Sequence, residues 1–144
     1  ELGNHEEANE ELELIDAPLR VHPDVLDVRW CIYQKIENWD LCKDIATALV
    51  KLAPERTIGW IHRSFALHEM KRTQESYDAL KPALDTFKNE QLVWYNMACY
   101  ACVLGNKDEA RELLSKAIEL GGDAVKTQAL EDPDLQGVWV SGEE

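Results

Sequence analysis

Two tryptophans, Trp60 and Trp94, place the strongest limit on how this chain folds. They lie 34 residues apart, and shifting the chain by this period aligns other residues of similar size. Small residues align with small ones and apolar residues with apolar ones: Ser64 with Ala98, Ser76 with Ala110 and Cys42, Leu80 with Leu114, Ala83 with Ala117, and Val50 with Leu84 and Ile118. A period of this length is typical of repeated helix pairs, and it predicts three repeats over residues 23–56, 57–90 and 91–124.

Each repeat is predicted to contain two α-helices. In the third repeat, residues 91–104 carry a broad apolar helical face, and Gly105-Asn106 then supplies residues that end a helix and begin a turn. Asp108 and Glu109 place acidic side chains in the first turn of the following helix, where the helix dipole favours them. The helices of the other two repeats are predicted near residues 24–37, 40–53, 57–70 and 73–87.

Small side chains recur where the two helices of a pair would cross. Cys42, Ser76 and Ala110 occupy one aligned position, and Ser64 and Ala98 occupy another. A large side chain does not fit between closely packed antiparallel helices, so these positions predict a close approach of the backbones. One helix pair cannot bury its apolar faces alone, so repeats of this kind have to stack.

The period, the two tryptophans, the small positions, Gly105, and Pro54 at the end of a repeat together resemble the tetratricopeptide repeat (TPR) family. The resemblance covers residues 23–124. It implies an all-α fold, an array of antiparallel helix pairs that forms a right-handed α-solenoid.

Two residues depart from the TPR pattern. Trp30 stands in the position that Ser64 and Ala98 occupy in the later repeats, so the first helix pair is expected to pack differently. Pro82 lies within the second helix of the second repeat. Because proline lacks a backbone N–H, it is expected to kink that helix.

The N-terminal flank, residues 1–22, is predicted to contain a capping helix. Residues that align across the repeats form columns in the sequence. Ala8, Leu12 and Ile15 continue the small and apolar columns of the first repeat, which indicates one helix near residues 5–17. Helical repeat arrays need such terminal elements for solubility.

The C-terminal flank, residues 125–144, is predicted to hold a second capping helix and a tail. Asp132-Pro133 supplies an N-cap followed by a first-turn proline, which predicts a last short helical turn. The stretch ALEDPDLQGVW also resembles the end of small bacterial repeat proteins.

The acidic charge balance restricts the partners that the chain suits. Asp and Glu outnumber Lys and Arg by 28 to 15, which leaves a net charge of −13. This charge argues against nucleic acid and an anionic membrane, and it favours a neutral or basic protein or peptide. Self-association into a homo-oligomer stays open. The first residues lack the pattern of a signal peptide, and the four cysteines are expected to be reduced thiols, so a cytoplasmic location is predicted.

In TPR proteins, the first helix of each pair lines a concave groove that binds proteins or peptides. Carried over column by column, the resemblance assigns eleven residues to this groove: Gln34, Lys35, Ile61, His62, Phe65, His68, Glu69, Tyr95, Asn96, Cys99 and Cys102. Asp27 and Cys31 fall in the same columns. Phe65 and Tyr95 suit packing between neighbouring repeats equally well. The resemblance implies a non-catalytic adaptor or scaffold; the size, acidity and three-repeat build also resemble small bacterial secretion chaperones.

The sequence Cys99-Tyr-Ala-Cys102 indicates a different class of function, a thiol or metal site. His68 lies one repeat period before Cys102 and would add a ligand from the neighbouring helix. The thiols lie in the middle of a predicted helix, however, whereas a redox pair needs the helix N-terminus to lower its pKa, and a zinc site needs about four ligands. The chain also lacks a Gly-rich phosphate loop and a nucleophile beside a base. The sequence therefore predicts no enzyme, no cofactor and no bound metal.

Overall fold

The structure, a computed structural model, describes residues 22–140. Over this span it contains eight α-helices and one short 3₁₀-helix and no β-strand, which confirms the all-α expectation. The α-helices are α1 (Pro23–Lys35), α2 (Trp39–Leu52), α3 (Thr57–Glu69), α4 (Thr73–Leu80), α5 (Ala83–Thr86), α6 (Gln91–Val103), α7 (Lys107–Gly121) and α8 (Asp123–Glu131), and the 3₁₀-helix is Pro133–Trp139. The capping helix predicted near residues 5–17 lies outside the described residues. Between residues 22 and 140, no helix has the length and apolar character needed to cross a membrane.

The chain forms two compact units, and the boundary falls between Arg72 and Thr73. Unit 1 holds α1, α2 and α3, and unit 2 holds α4 to α8 and the 3₁₀-helix. The boundary separates the two helices predicted for the second repeat. The division into three repeats with two caps stays a prediction.

Three helices end in the same hydrogen-bonded turn. After α6, the N–H of Gly105 donates to the carbonyl of Cys102, and the N–H of Asn106 donates to that of Ala101. These two bonds satisfy carbonyl groups that the end of a helix would leave unpaired. The same pair of bonds follows α3 and α1, at positions that lie one and two repeat periods earlier in the chain.

The small positions of the sequence pattern are all buried. Cys42 and Ser64 in unit 1, and Ser76, Ala98 and Ala110 in unit 2, have no exposed surface. The tight packing that they permit is also visible between α2 and α3. A Cβ atom on Gly59 of α3 would lie only 3.1 Å from the Cβ atom of Leu49.

Both tryptophans that define the period make the same hydrogen bond. The indole N–H of Trp60 donates to the carbonyl of Pro54 at 3.0 Å, and that of Trp94 donates to the carbonyl of Lys88 at 2.9 Å. Each bond ties the first turn of a helix to the segment that precedes it. The repeated tryptophan position therefore carries the same indole hydrogen bond in both places, in addition to its apolar ring.

Proline interrupts the second helix of the predicted second repeat. Helix α4 ends at Leu80 and α5 begins at Ala83, with Pro82 between them. The sequence predicts a kink at this point, and the structure shows a full break. Leu80 and Ala83 are both completely buried, so the segment stays packed in unit 2 across the interruption.

The predicted last turn forms at the C-terminal end of unit 2. Asp132 caps the 3₁₀-helix by accepting a hydrogen bond from the N–H of Asp134, and Pro133 occupies the first helical position. Leu135 and Val138 of this helix are buried. These contacts fix the 3₁₀-helix beside α6, α7 and α8.

Candidate functional site

An aromatic cluster joins the three helices of unit 1. Phe65 on α3 meets Trp30 of α1 edge-on with 6.3 Å between ring centroids, and it meets Trp39 of α2 in the same way at 5.5 Å. The imidazole of His62 stacks on Trp30, with 3.7 Å between centroids. Trp30 is only 6% exposed, so the bulky residue of the first repeat is buried within this cluster.

His62 is held by a carboxylate as well as by the stacking contact. Its Nε2 atom lies 3.0 Å from Oδ1 of Asp27, and its side chain is only 13% exposed. Burial lowers the pKa of His62, because the charged imidazolium would lose its hydration, and the Asp27 carboxylate offsets this only in part. His62 is therefore a neutral, oriented hydrogen-bonding group on α3.

The other groove residues predicted in unit 1 differ in how far they reach solvent. Ile61 is buried in the core, whereas Lys35 and Glu69 at the ends of α1 and α3 are exposed. Gln34 and His68 are half-buried. The polar ends of this face are thus accessible, while its centre is formed by the aromatic cluster.

In unit 2, the carboxylate of Asp132 accepts hydrogen bonds from two of the predicted groove residues. Tyr95 and Cys99 lie on α6, and the Tyr95 hydroxyl donates to Oδ2 of Asp132 at 2.7 Å. The Cys99 thiol donates to the same oxygen at 3.8 Å. Both side chains are buried, so they join α6 to the C-terminal 3₁₀-helix. Burial and the nearby carboxylates raise the pKa of Tyr95 and that of Cys99, which keeps both groups protonated.

The remaining two predicted groove residues of unit 2, Asn96 and Cys102, are half-buried on α6. Cys102 lies against the 3₁₀-helix. A Cβ atom on Gly137 would come within 3.0 Å of its sulfur, so a larger residue at this position would force the Cys102 side chain to shift. The thiol of Cys102 therefore fills a close helix contact in unit 2.

The sulfur of Cys99 is part of a cluster that resembles a metal site in composition. One oxygen each from Asp132 and Asp134 lies with this sulfur inside a group whose atoms are all within 4.8 Å of one another. Metal ligation requires a thiolate, yet burial and these same carboxylates raise the pKa of Cys99. Asp132 already accepts bonds from Tyr95, Cys99 and the backbone. We therefore describe Tyr95, Cys99 and Asp132 as a hydrogen-bonded joint, meaning a set of hydrogen bonds that connects α6 to the 3₁₀-helix.

This cluster also differs from the thiol or metal site considered from the sequence. Cys102 is not among its members, and His68 belongs to α3 of unit 1. Sequence reasoning identified Asp132 only as a helix cap and did not identify its bonds to Tyr95 and Cys99. The sequence offers one signal for Asp132, the proline that follows it. That signal predicts a helix cap but does not predict which side chains the carboxylate binds.

Comparison with known proteins identifies the fold. No family model matches the chain, and no curated protein gives a significant match. Solved structures of MamA do match it. MamA AMB-1 is 28% identical with a TM-score of 0.67, over 80% of this chain and 68% of that one. MamA MSR-1 is 24% identical with a TM-score of 0.70, over 85% and 70%. MamA RS-1 ArsTM double mutant is 17% identical with a TM-score of 0.72, over 88% and 69%. These MamA structures are TPR-like, as this chain is.

Proposed function

We propose that this chain, whose fold is that of tetratricopeptide repeat proteins, is a non-catalytic scaffold that binds another protein or peptide. The proposed contact residues of unit 1 lie on α1 and α3, and those of unit 2 lie on α6. They are Gln34, Lys35, His62, Phe65, His68 and Glu69 in unit 1, and Asn96 and Cys102 in unit 2. Ile61, Tyr95 and Cys99 are buried, so they support the contact residues and do not contact the partner themselves.

The partly exposed aromatic cluster of unit 1 is the observation that carries this proposal. Phe65 and His62 are fixed by Trp30, Trp39 and Asp27, so they lose little conformational freedom when a partner binds. Both residues are half-buried, and the His62 side chain keeps 13% of its surface exposed, so a partner could reach them in part. Aromatic side chains, phenylalanine among them, are enriched at protein interfaces, where a few residues carry most of the binding energy.

Charge defines the partner that this proposal favours. With a net charge of −13, the protein attracts a basic protein segment, accepts a neutral one without charge repulsion, and repels phosphate backbones and anionic membranes. All four cysteines are free thiols, the state that a reducing cytoplasm maintains, so we place the protein in that compartment.

Site-specific photo-cross-linking in a native cell extract tests the proposal. A photoreactive amino acid replaces exposed Lys35 or Glu69 on the proposed face, or exposed Asp44 on α2 as the control. The proposal predicts that the first two positions capture the same protein and that Asp44 does not. Capture from Asp44 alone would place the binding surface on another face.

A further inference from the structure

Unit 2 contains an apolar cleft that the proposed contact residues do not line. The cleft lies between α7 and the 3₁₀-helix and has a volume of about 250 Å³. Its lining consists of Arg111, Leu114, Ser115, Ile118, Val138 and Trp139. The indole of Trp139 donates to the carbonyl of Ala129 at 3.3 Å and yet stays 40% exposed, so a large apolar ring is held in place without being covered.

Arg111 fixes one wall of this cleft. Its Nε atom donates to the carbonyl of Val138 at 3.0 Å, and an η-nitrogen donates to that of Val140 at 2.7 Å. The other η-nitrogen donates to Asp108 at 3.0 Å. The guanidinium therefore directs its donors to oxygens of its own unit, and the wall is formed before any partner arrives.

An acidic edge of α7 runs beside the cleft. Asp108, Glu112 and Glu119 share one side of the helix with the cleft residue Ser115, and all four are exposed. Their spacing places them next to the side of α7 that carries Ile118. The edge thus presents carboxylates along the length of an apolar depression.

The remaining cations of α7 do not neutralise this edge fully. Lys116 pairs with Glu119 at 3.7 Å while its ammonium also lies over the ring of Trp94. The stem of Lys107 lies beside Gly137 in the 3₁₀-helix. Glu112 lies between these groups, and its exposed carboxylate is accessible to a cation from another molecule.

We propose that this cleft is a second interaction surface, which binds a short basic segment of another protein. An apolar side chain of that segment enters the cleft against Ile118 and Trp139, while flanking Lys or Arg side chains pair with Glu112 and its acidic neighbours. Charge complementarity selects the partner, and the prebuilt wall lowers the cost of ordering the site. This surface is independent of the aromatic cluster of unit 1.

Nuclear magnetic resonance titration of the full chain tests this surface. The probe is a short capped peptide in which Leu-Phe stands between lysine pairs. The controls are the same peptide with glutamates for the lysines and the same peptide with serines for Leu-Phe. The structure predicts that the indole N–H signal of Trp139 shifts with the first peptide only, and that the shift weakens with added salt.

Two substitutions locate the contact on α7. Glu112→Lys reverses the charge beside the cleft, and Ser115→Arg places a long cation in it; each should weaken binding by about tenfold or more. Asp85→Lys makes the same charge change at an exposed position of α5 and should leave binding near the wild-type value.

Three outcomes of the peptide experiments would overturn the inference. They are a Trp139 signal that stays unmoved by the first peptide, equal binding of the serine control, and equal losses in Glu112→Lys and Asp85→Lys. A Trp139 signal that moves with protein concentration alone would assign the cleft to a second copy of this chain and would also overturn it. None of these results bears on the cross-linking expected at Lys35 and Glu69.

Discussion

Glu37 and Lys71 are separated by one repeat period, and both adopt the left-handed backbone conformation, with φ angles of 57° and 64°. Gly105, the next position in the series, has a φ angle of 92°. The three residues occupy the same place in the turns that end α1, α3 and α6. A side chain at this place carries a steric cost that glycine avoids, so two of the three turns hold a strained residue.

Replacing Lys71 with glycine should therefore stabilise the protein. Relief of the left-handed strain outweighs the added freedom of the unfolded chain, and the expected gain is about 0.5–1 kcal/mol. Urea unfolding followed by circular dichroism measures it. Lys71→Ala is the matched control, since it removes the charge and keeps the Cβ atom; an equal gain in that variant would contradict the explanation.

Enlarging a buried small residue should have the opposite effect. Ala98 of α6 and Ala110 of α7 have no exposed surface, so leucine at either position overpacks unit 2 and should cost about 1–3 kcal/mol. The same change at Ala124, which is exposed on α8, should stay within about 0.5 kcal/mol of wild type. Thermal unfolding of the three variants compares them, and no difference between buried and exposed positions would refute the close-crossing argument.

Most of the fold could be predicted because the signals that end helices are local. Gly105 marks the turn after α6, and Asn38 caps α2 by accepting a bond from the N–H of Leu41. Pro82 signals a disruption through its missing N–H, although sequence alone did not separate a kink from a break. Glu37 and Lys71 were not recognisable as left-handed residues, since only their alignment with Gly105 reveals the shared turn.

The candidate site was less predictable because it depends on contacts between distant residues. The repeat pattern assigned His62 and Tyr95 to the groove side of their helices, but it does not encode that Tyr95 is buried or which carboxylate each residue meets. Asp27 lies 35 residues from His62, and Asp132 lies 37 residues from Tyr95. Such pairs arise from how neighbouring helices are rotated, which helical periodicity leaves undetermined.

The contribution of His62 should make stability fall as the solution is acidified. Since its folded-state pKa lies below its unfolded value of about 6.5, the unfolded chain binds the proton first as pH falls. The contribution of His62 to the free energy of unfolding is therefore complete when the pH is above the unfolded pKa. It is lost as the pH falls from there through the lower folded-state pKa. The His62→Gln variant should therefore lose less stability than wild type between about pH 7 and pH 5. Parallel curves for the two proteins in urea unfolding would refute this assignment.

The cysteines should react in an order set by burial and charge. Cys31 is exposed, although partial burial and the nearby Asp27 raise its pKa. Cys42 and Cys99 are buried; burial raises the pKa of Cys42 to about 11 and, together with Asp132, raises that of Cys99. Iodoacetamide at neutral pH should therefore label Cys31 well before the other two, as read by peptide mass spectrometry. All should react alike in denaturant. Labelling of Cys99 as fast as Cys31 in the folded protein would contradict the hydrogen-bonded joint.

The same joint predicts that the purified protein holds no stoichiometric zinc. A protonated Cys99 and an Asp132 carboxylate that already accepts three bonds are a poor ligand set. Elemental analysis measures the metal content directly. About one zinc per chain that disappears in Cys99→Ser would instead favour the thiol or metal class of function.

The affinity of Phe65→Leu for the partner captured by cross-linking tests the scaffold proposal most directly. Leucine preserves much of the packing against Trp30 and Trp39 and removes the aromatic surface offered to the partner. Isothermal titration calorimetry should show a loss of about tenfold or more for this variant and no loss for Asp44→Ala on α2. Wild-type affinity in a folded Phe65→Leu protein would contradict the proposal that the face of α1 and α3 binds the partner.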